Sequence, residues 1–254
     1  MGNGKFVWYD LMTKDPEASL AFYTELIGWT SSVMDLGGVP YTLLSAGERM
    51  IGGVMGLEDA QLPPHWIGYV QVEDIEATCQ LAEELGGKVC VPPTEIPGIG
   101  RFAVLTDPLG AAISPLQPAE ASEMPEWVNA PGVVNWNEYM ASDVTTAFGF
   151  YSLLFGWAPA GAMKSDESPG SYFLAGKDQQ RPCVGLMKSP PPMDTLSYWL
   201  FYISVEDCAK SVEKAQALGA KLLAGPMPVP GGTAAVLVDP QGAAFGLYGD
   251  APTP

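Results

Sequence analysis

The chain is poor in histidine and in basic residues, and it has no long apolar run. A single histidine, His65, stands among 254 residues. A 2-His-1-carboxylate iron centre needs two imidazoles, so extradiol-dioxygenase chemistry is not expected. Lys and Arg total 12 against 29 Asp and Glu, a formal net charge of −17. Phosphate backbones and anionic lipid surfaces are recognised through Lys and Arg, so neither nucleic acid nor membrane is an expected partner. No apolar stretch approaches the ~20 residues of a membrane span. Met1–Phe6 carries no apolar signal core, and Phe6 stands where acylation at Gly2 would want Ser or Thr. The four cysteines, Cys79, Cys90, Cys183 and Cys208, are scattered without a C-x-x-C. Free thiols in a reducing cytosol are the expectation, hence a cytoplasmic protein. A P-loop and a G-x-S-x-G nucleophile elbow are also missing. Gly98–Ala103 fits G-x-G-x-x-A only formally, because it follows a Pro-rich loop and opens a strand rather than a helix.

What the chain does have is apolar residues, 47% of the total, and internal repetition. Asp15–Trp29 (DPEASLAFYTELIGW) returns as Asp143–Trp157 (DVTTAFGFYSLLFGW). Trp66–Asp74 returns as Trp199–Asp207, and Asp107–Ala112 as Asp239–Ala244. The offset between copies drifts by only a few residues, as loops of unequal length would produce. The chain is therefore a duplication. The Pro- and Glu-rich stretch near residue 120 lacks periodicity and reads as a linker. The expected layout is a first domain over 1–118, a linker over 119–130 and a second domain over 131–254.

A finer pattern lies inside each half. Asp15 is placed to cap a helix with Pro16 in its first turn, Leu20, Tyr23 and Ile27 at helical spacing, and Gly28 at its end. Strands are predicted at 39–46 and 49–57. Another is predicted at 66–73, and Asp74 caps a second helix closed by Gly86 and Gly87. Strands at 101–106 and 111–116 flank the turn Asp107-Pro108-Leu109-Gly110. Each half thus holds strand–helix–strands twice. Just before the first cap stand Trp8 and Asp10, and in the second copy Trp136 and Glu138. Residues two apart in a strand share a face.

The D-[PVI]-x-x-[AS] helix starts, F-Y-x-x-[LF]-[FI]-G-W helix ends and D-P-x-G-A-A turns, in this order and duplicated, resemble the vicinal-oxygen-chelate superfamily of glyoxalases, bleomycin-resistance proteins and extradiol dioxygenases. The resemblance covers nearly the whole chain. The Trp-x-[Asp/Glu] strand and the Gly-Gly-Val-Met run at Gly52–Met55 look more like its two-domain, actinobacterial glyoxalase-like members. The resemblance implies an α+β fold of four tandem βαβββ modules forming two cup-shaped domains. It also implies a divalent metal held by His, Gln or Glu on the first strands and Glu on a last strand. Those positions here are Trp8 and Trp136, Ile67 and Leu200, and Ser114 and Gly246. None is a usual metal ligand, so no cofactor and no conventional metal site are expected. A carboxylate site joining Asp10 or Glu138 to His65 is conceivable, but no spacing supports it.

Asp10 and Glu138 remain as polar candidates. In an apolar cup such a carboxylate would have a raised pKa and act as acid, base or hydrogen-bond anchor. At a strand edge it would simply be solvated or paired. Tyr69 and Tyr202 stand at the matching places of the second modules, as ligand-holding phenols or as ordinary core. Trp8, Trp136, Met55 and Met187 would line a flat apolar wall, or pack against helices. His65 and Ser114 complete the set of ligand-facing candidates. Two functions follow as expectations. One is a small-molecule binding or sequestering protein for a hydrophobic or aromatic ligand, monomeric or homodimeric. The other is a glyoxalase-like lyase or isomerase in which Asp10 or Glu138 moves a proton.

Overall fold

Asp15, Asp74, Asp143 and Asp207 each precede a helix and turn the side chain back on an early helical N–H, a bond of 2.9–3.0 Å in every copy. This fourfold device sets the rhythm of the molecule. A computed structural model describes residues 4–36, 38, 40–59, 61–120, 128, 130–164 and 171–250. The first module is β1 (Phe6–Thr13), α1 (Pro16–Ile27), β2 (Thr30–Asp35), β3 (Pro40–Ala46) and β4 (Arg49–Gly56). The second is β5 (His65–Gln71), α2 (Ile75–Glu84), β6 (Lys88–Ile96), β7 (Gly100–Thr106) and β8 (Ala112–Pro118). The third is β9 (Val134–Ala141), α3 (Val144–Phe155), β10 (Ala158–Lys164), β11 (Ser171–Gly176) and β12 (Val184–Lys188). The fourth is β13 (Tyr198–Val205), α4 (Cys208–Ala217), β14 (Lys221–Val229), β15 (Gly232–Val238) and β16 (Ala244–Asp250).

The fold is α+β, four βαβββ modules in tandem, as the repeats indicate. The strands form two eight-stranded sheets, ordered β2-β3-β4-β1-β5-β8-β7-β6 and β10-β11-β12-β9-β13-β16-β15-β14. In every module the first strand pairs with the last in parallel, for example β1 with β4 and β9 with β12, and the remaining pairs are antiparallel. Gly28 and Gly156 end α1 and α3 in the left-handed conformation that only glycine adopts without strain.

Three expectations are corrected. The buried stripe of α1 is Ser19, Phe22, Tyr23 and Leu26, while Leu20 and Ile27 are only half-buried. β2 (TSSVMD) was not expected. It is almost wholly exposed, so its sequence carries no apolar alternation. The stretch read as a Pro-rich loop is β6. It is the outermost strand of its sheet, and the register shifts at Val89/Val91 and Val91/Thr94 absorb Pro92 and Pro93. Within the expected linker, residues 121–127 and 129 lie outside the described residues. No helix among the described residues is long and apolar enough to cross a membrane.

Two compact units divide the chain differently from its sequence halves. One contains residues 1–8, 67–124 and 136–199, and the other residues 9–66, 125–135 and 200–254. In the first, Phe6, Tyr151, Phe155, Trp157 and Trp199 pack ring against ring at centroid distances of 5.2–6.1 Å. In the second, Phe22, Tyr23, Trp29, Trp66 and Phe245 do the same. The indoles that follow the two helix-ending glycines are tied alike: Trp157 donates to the Gly4 carbonyl at 2.7 Å and Trp29 to the Gly132 carbonyl at 2.7 Å.

Candidate functional site

In the unit containing the third module, β9 and β12 lie parallel with Glu138 opposite Gly185 and Tyr139 opposite Leu186. Successive residues on a strand point to opposite faces, and the partners settle which face is which. Tyr139 packs against Tyr151 of α3 and against Trp199, and Leu186 is fully buried. Those residues face the helix. Glu138, Gly185, Met187 and, on β13, Tyr198 therefore take the helix-free face.

β11 brings Tyr172 to that face. Its ring crosses Gly185 so closely that a β-carbon there would lie 2.0 Å from the hydroxyl oxygen. The missing side chain is what lets the phenol reach Glu138. The Trp136 indole N–H donates to the Tyr172 hydroxyl at 2.7 Å, and the hydroxyl donates to the Glu138 carboxylate. The resulting chain has one polarity, indole to phenol to carboxylate. Burial, followed by the Glu138 charge, pushes the Tyr172 pKa far above its usual value. Burial and the same charge raise that of Tyr198. Glu138 itself is 6% exposed, whereas Trp136, Tyr172, Met187 and Tyr198 are half-buried.

The first module repeats the arrangement. Asp10 pairs with Gly53 across β1 and β4, and the Tyr41 hydroxyl donates to Asp10 at 2.5 Å. A β-carbon on Gly53 would meet that hydroxyl at 2.1 Å. Asp10 and Tyr41 are both buried, at 3% and 6% exposure. A buried carboxylate is tolerated when it accepts a good hydrogen bond. Sequence reasoning found both acids and missed both phenols. The signal was present as a Tyr on the third strand and a Gly on the fourth, in the same order in both halves.

The other candidates are spread out. Trp8 and Met55 are half-buried. The Ser114 hydroxyl donates to the Ala103 carbonyl at 2.6 Å and is fully buried, so it faces no ligand. Tyr69, opposite Ser114 in the ladder, lies 6.2 Å from the Phe102 ring. Tyr202 is buried with its ring over Gly246, where a β-carbon would come within 2.3 Å. His65 folds back so that its Nδ1 meets the Pro63 carbonyl at 2.8 Å.

The positions at which the family resemblance would put a metal do not fit one. Ile67 and Leu200 are buried hydrocarbons, Gly246 has no side chain, and the Ser114 hydroxyl is committed to a backbone carbonyl. The one heteroatom of Trp136 is an N–H already donated to Tyr172. Among the described residues no three His, Cys, Asp or Glu side chains converge.

The D-P-x-G turns carry more than a turn. Asp239 Oδ1 accepts the N–H groups of Gln241, Gly242 and Ala243, and Oδ2 accepts the Tyr23 hydroxyl at 3.1 Å, which accepts the Trp66 indole N–H at 3.1 Å. Asp107 likewise accepts Leu109 and Ala111 N–H groups and the hydroxyls of Tyr139 and Tyr151, the latter bonded by Trp199. Burial holds the Asp239 carboxyl above the usual aspartate range despite these donors. The motifs that repeat most visibly are thus structural joints.

Comparison with known proteins bears on the scaffold. The family model described as "Glyoxalase/Bleomycin resistance protein/Dioxygenase superfamily" matches residues 5–114 and again 133–247. "Anthracycline biosynthesis protein DauV" of Streptomyces sp. (strain C5) is 31% identical over 96% of this chain and 92% of its own. "Putative glyoxylase CFP32" of Mycobacterium tuberculosis (strain CDC 1551 / Oshkosh) is 31% identical over 96% of this chain and 94% of its own. Among solved structures, the Mn(II)-bound glyoxalase from Novosphingobium aromaticivorans superposes with TM-score 0.63 at 14% identity, covering 99% of this chain and 85% of that one. The 2,2',3-trihydroxybiphenyl 1,2-dioxygenase from Sphingomonas wittichii strain RW1 gives 0.65 at 12%, covering 97% and 90%. At such identities these two speak for the fold alone.

Proposed function

Since this chain belongs to the glyoxalase/bleomycin resistance protein/dioxygenase superfamily, we propose that it uses the scaffold to bind a small aromatic molecule through protein groups alone. The carrying observation is the helix-free face around Glu138. It combines a half-buried indole, two phenols and a methionine with one buried, hydrogen-bonded carboxylate. Flat apolar groups supply contact area, and a few fixed polar groups supply orientation. The fixed polarity of the Trp136–Tyr172–Glu138 chain makes the carboxylate an anchor for a ligand donor. That two relatives carry anthracycline biosynthesis in their names supports a polycyclic aromatic ligand.

A second reading rests on the burial of both acids and on the relatives named as glyoxylases. In it Glu138 or Asp10 moves a proton, as a lyase or isomerase would require.

Titration with planar polycyclic ketones, followed by quenching of tryptophan fluorescence, tests the binding reading. Saturable binding is expected, weakened about tenfold or more when Trp136→Leu and Glu138→Gln are combined. Absence of saturable binding across the series, or stoichiometric Zn, Ni, Mn or Fe in the purified protein, sinks it. For the proton-moving reading, unchanged turnover of a found substrate by the Asp10→Asn, Glu138→Gln double variant removes the assigned roles.

A further inference from the structure

Tyr172 already displays what Glu138 accepts: a phenol that donates its hydrogen to the carboxylate while its oxygen accepts from a neighbouring donor, the Trp136 N–H. A carboxylate has two oxygens and about four acceptor sites, so a ligand hydroxyl can join the groups already bonded to it. On the same helix-free face stands Tyr198, at the first position of β13. Its two neighbours are turned the other way. Trp199 donates to Tyr151 on α3, and Ser197 bonds Ser142 at the end of β9. Tyr198 is half-buried, and among the described residues its hydroxyl has no hydrogen-bond partner.

We infer that Tyr198 is a specificity residue that holds an aromatic hydroxyl of the ligand against Glu138, the hydroxyl donating to the carboxylate and accepting from Tyr198. The ligand's phenol then repeats the bonding of Tyr172, with Tyr198 in the place of Trp136. The inference rests on the aromatic-binding reading and narrows it to hydroxylated aromatics. The raised pKa of Tyr198 keeps it protonated and therefore a donor. In the first half the matching position, one residue before the repeated Trp, is His65, whose ring is turned onto the Pro63 carbonyl. The selection therefore belongs to the second-half site.

The test is calorimetric binding of 2-naphthol and of naphthalene, which keeps the rings but can neither donate nor accept. Wild-type protein is expected to favour 2-naphthol about tenfold, the scale of one hydrogen bond to a charged group. Tyr198→Phe should shrink the preference to about threefold or less while leaving naphthalene affinity unchanged. Tyr198→His, which restores a donor, should recover it, and a melting curve confirms that each variant is folded. If wild type binds both probes alike, or Tyr198→Phe keeps the preference, this inference is overturned and the aromatic-binding reading stands. If neither probe binds, the underlying reading falls with it.

Discussion

A β-carbon on Gly185 would lie 2.0 Å from the Tyr172 hydroxyl oxygen, and one on Gly53 2.1 Å from that of Tyr41. Gly185→Ala must therefore push the phenol off Glu138, or push β11 away from β12. Overpacking of this kind costs about 1–3 kcal/mol, so the urea midpoint of Gly185→Ala should fall. With its phenol displaced from the carboxylate, Tyr172 should also ionise closer to its usual value of 10.0. An unchanged midpoint and phenol titration would show that the ring does not depend on the glycine. At this scale the sequence was half legible. Trp-x-Asp and Trp-x-Glu marked the carboxylates because both partners sit on one strand, two residues apart. Tyr41 and Tyr172 were hidden because each reaches its acid across an intervening strand, a relation set by register and not by spacing. The turn aspartates were legible as turns, whereas their phenol partners lie 216 residues away for Asp239, and 32 and 44 residues away for Asp107.

The helices were the most readable elements, because capping is local. Asp74 at the start of α2 accepts the Ala77 N–H at 2.9 Å, and Asp74→Ala should cost about 1 kcal/mol in chemical denaturation. A loss below a few tenths would mean that water replaces the cap. Asp143 and Asp207 show the electrostatic side of the device. Helix N–H groups, those of Thr146 and Lys210 foremost, hold both carboxyls below 3.8. A depressed value stabilises the fold above the ordinary aspartate range and loses that effect as pH falls through it. β2 and β6 were unreadable for opposite reasons. β2 is exposed and lacks a buried face to impose alternation, and β6 contains two prolines that only an outer, bulged strand can accept.

For the whole molecule, the number of buried phenols governs its behaviour in alkali. Tyr23, Tyr139, Tyr151, Tyr172 and Tyr198 all have raised pKa values, burial being the first cause in each. They are five of the ten tyrosines in the chain. An unfolded tyrosine ionises near pH 10 while these stay protonated. The stability that they contribute is complete below that pH and is lost as pH rises above it. The melting temperature should therefore drop steeply beyond pH 10, with the phenolate absorbance of these five appearing only as the fold is lost. Smooth ionisation of all ten tyrosines in folded protein would contradict the buried assignments. The duplication and the family were legible at this scale because whole motifs recur in order. The division into compact units was not, because no local signal shows which module will share a core with which.

That division has a consequence for how the chain is born. Tyr23 leaves the ribosome before its acceptor Asp239, which follows 216 residues later. At about 5–20 residues per second the delay is roughly 10–45 s. Asp107, by contrast, is already made when Tyr139 and Tyr151 emerge 32 and 44 residues behind it. The core around Asp107 can close while synthesis continues, and the one around Tyr23 is completed only when the turn at Asp239 has been made. Nascent protein thus carries an unfinished aromatic cluster through that delay, which is the interval in which a chaperone would be needed.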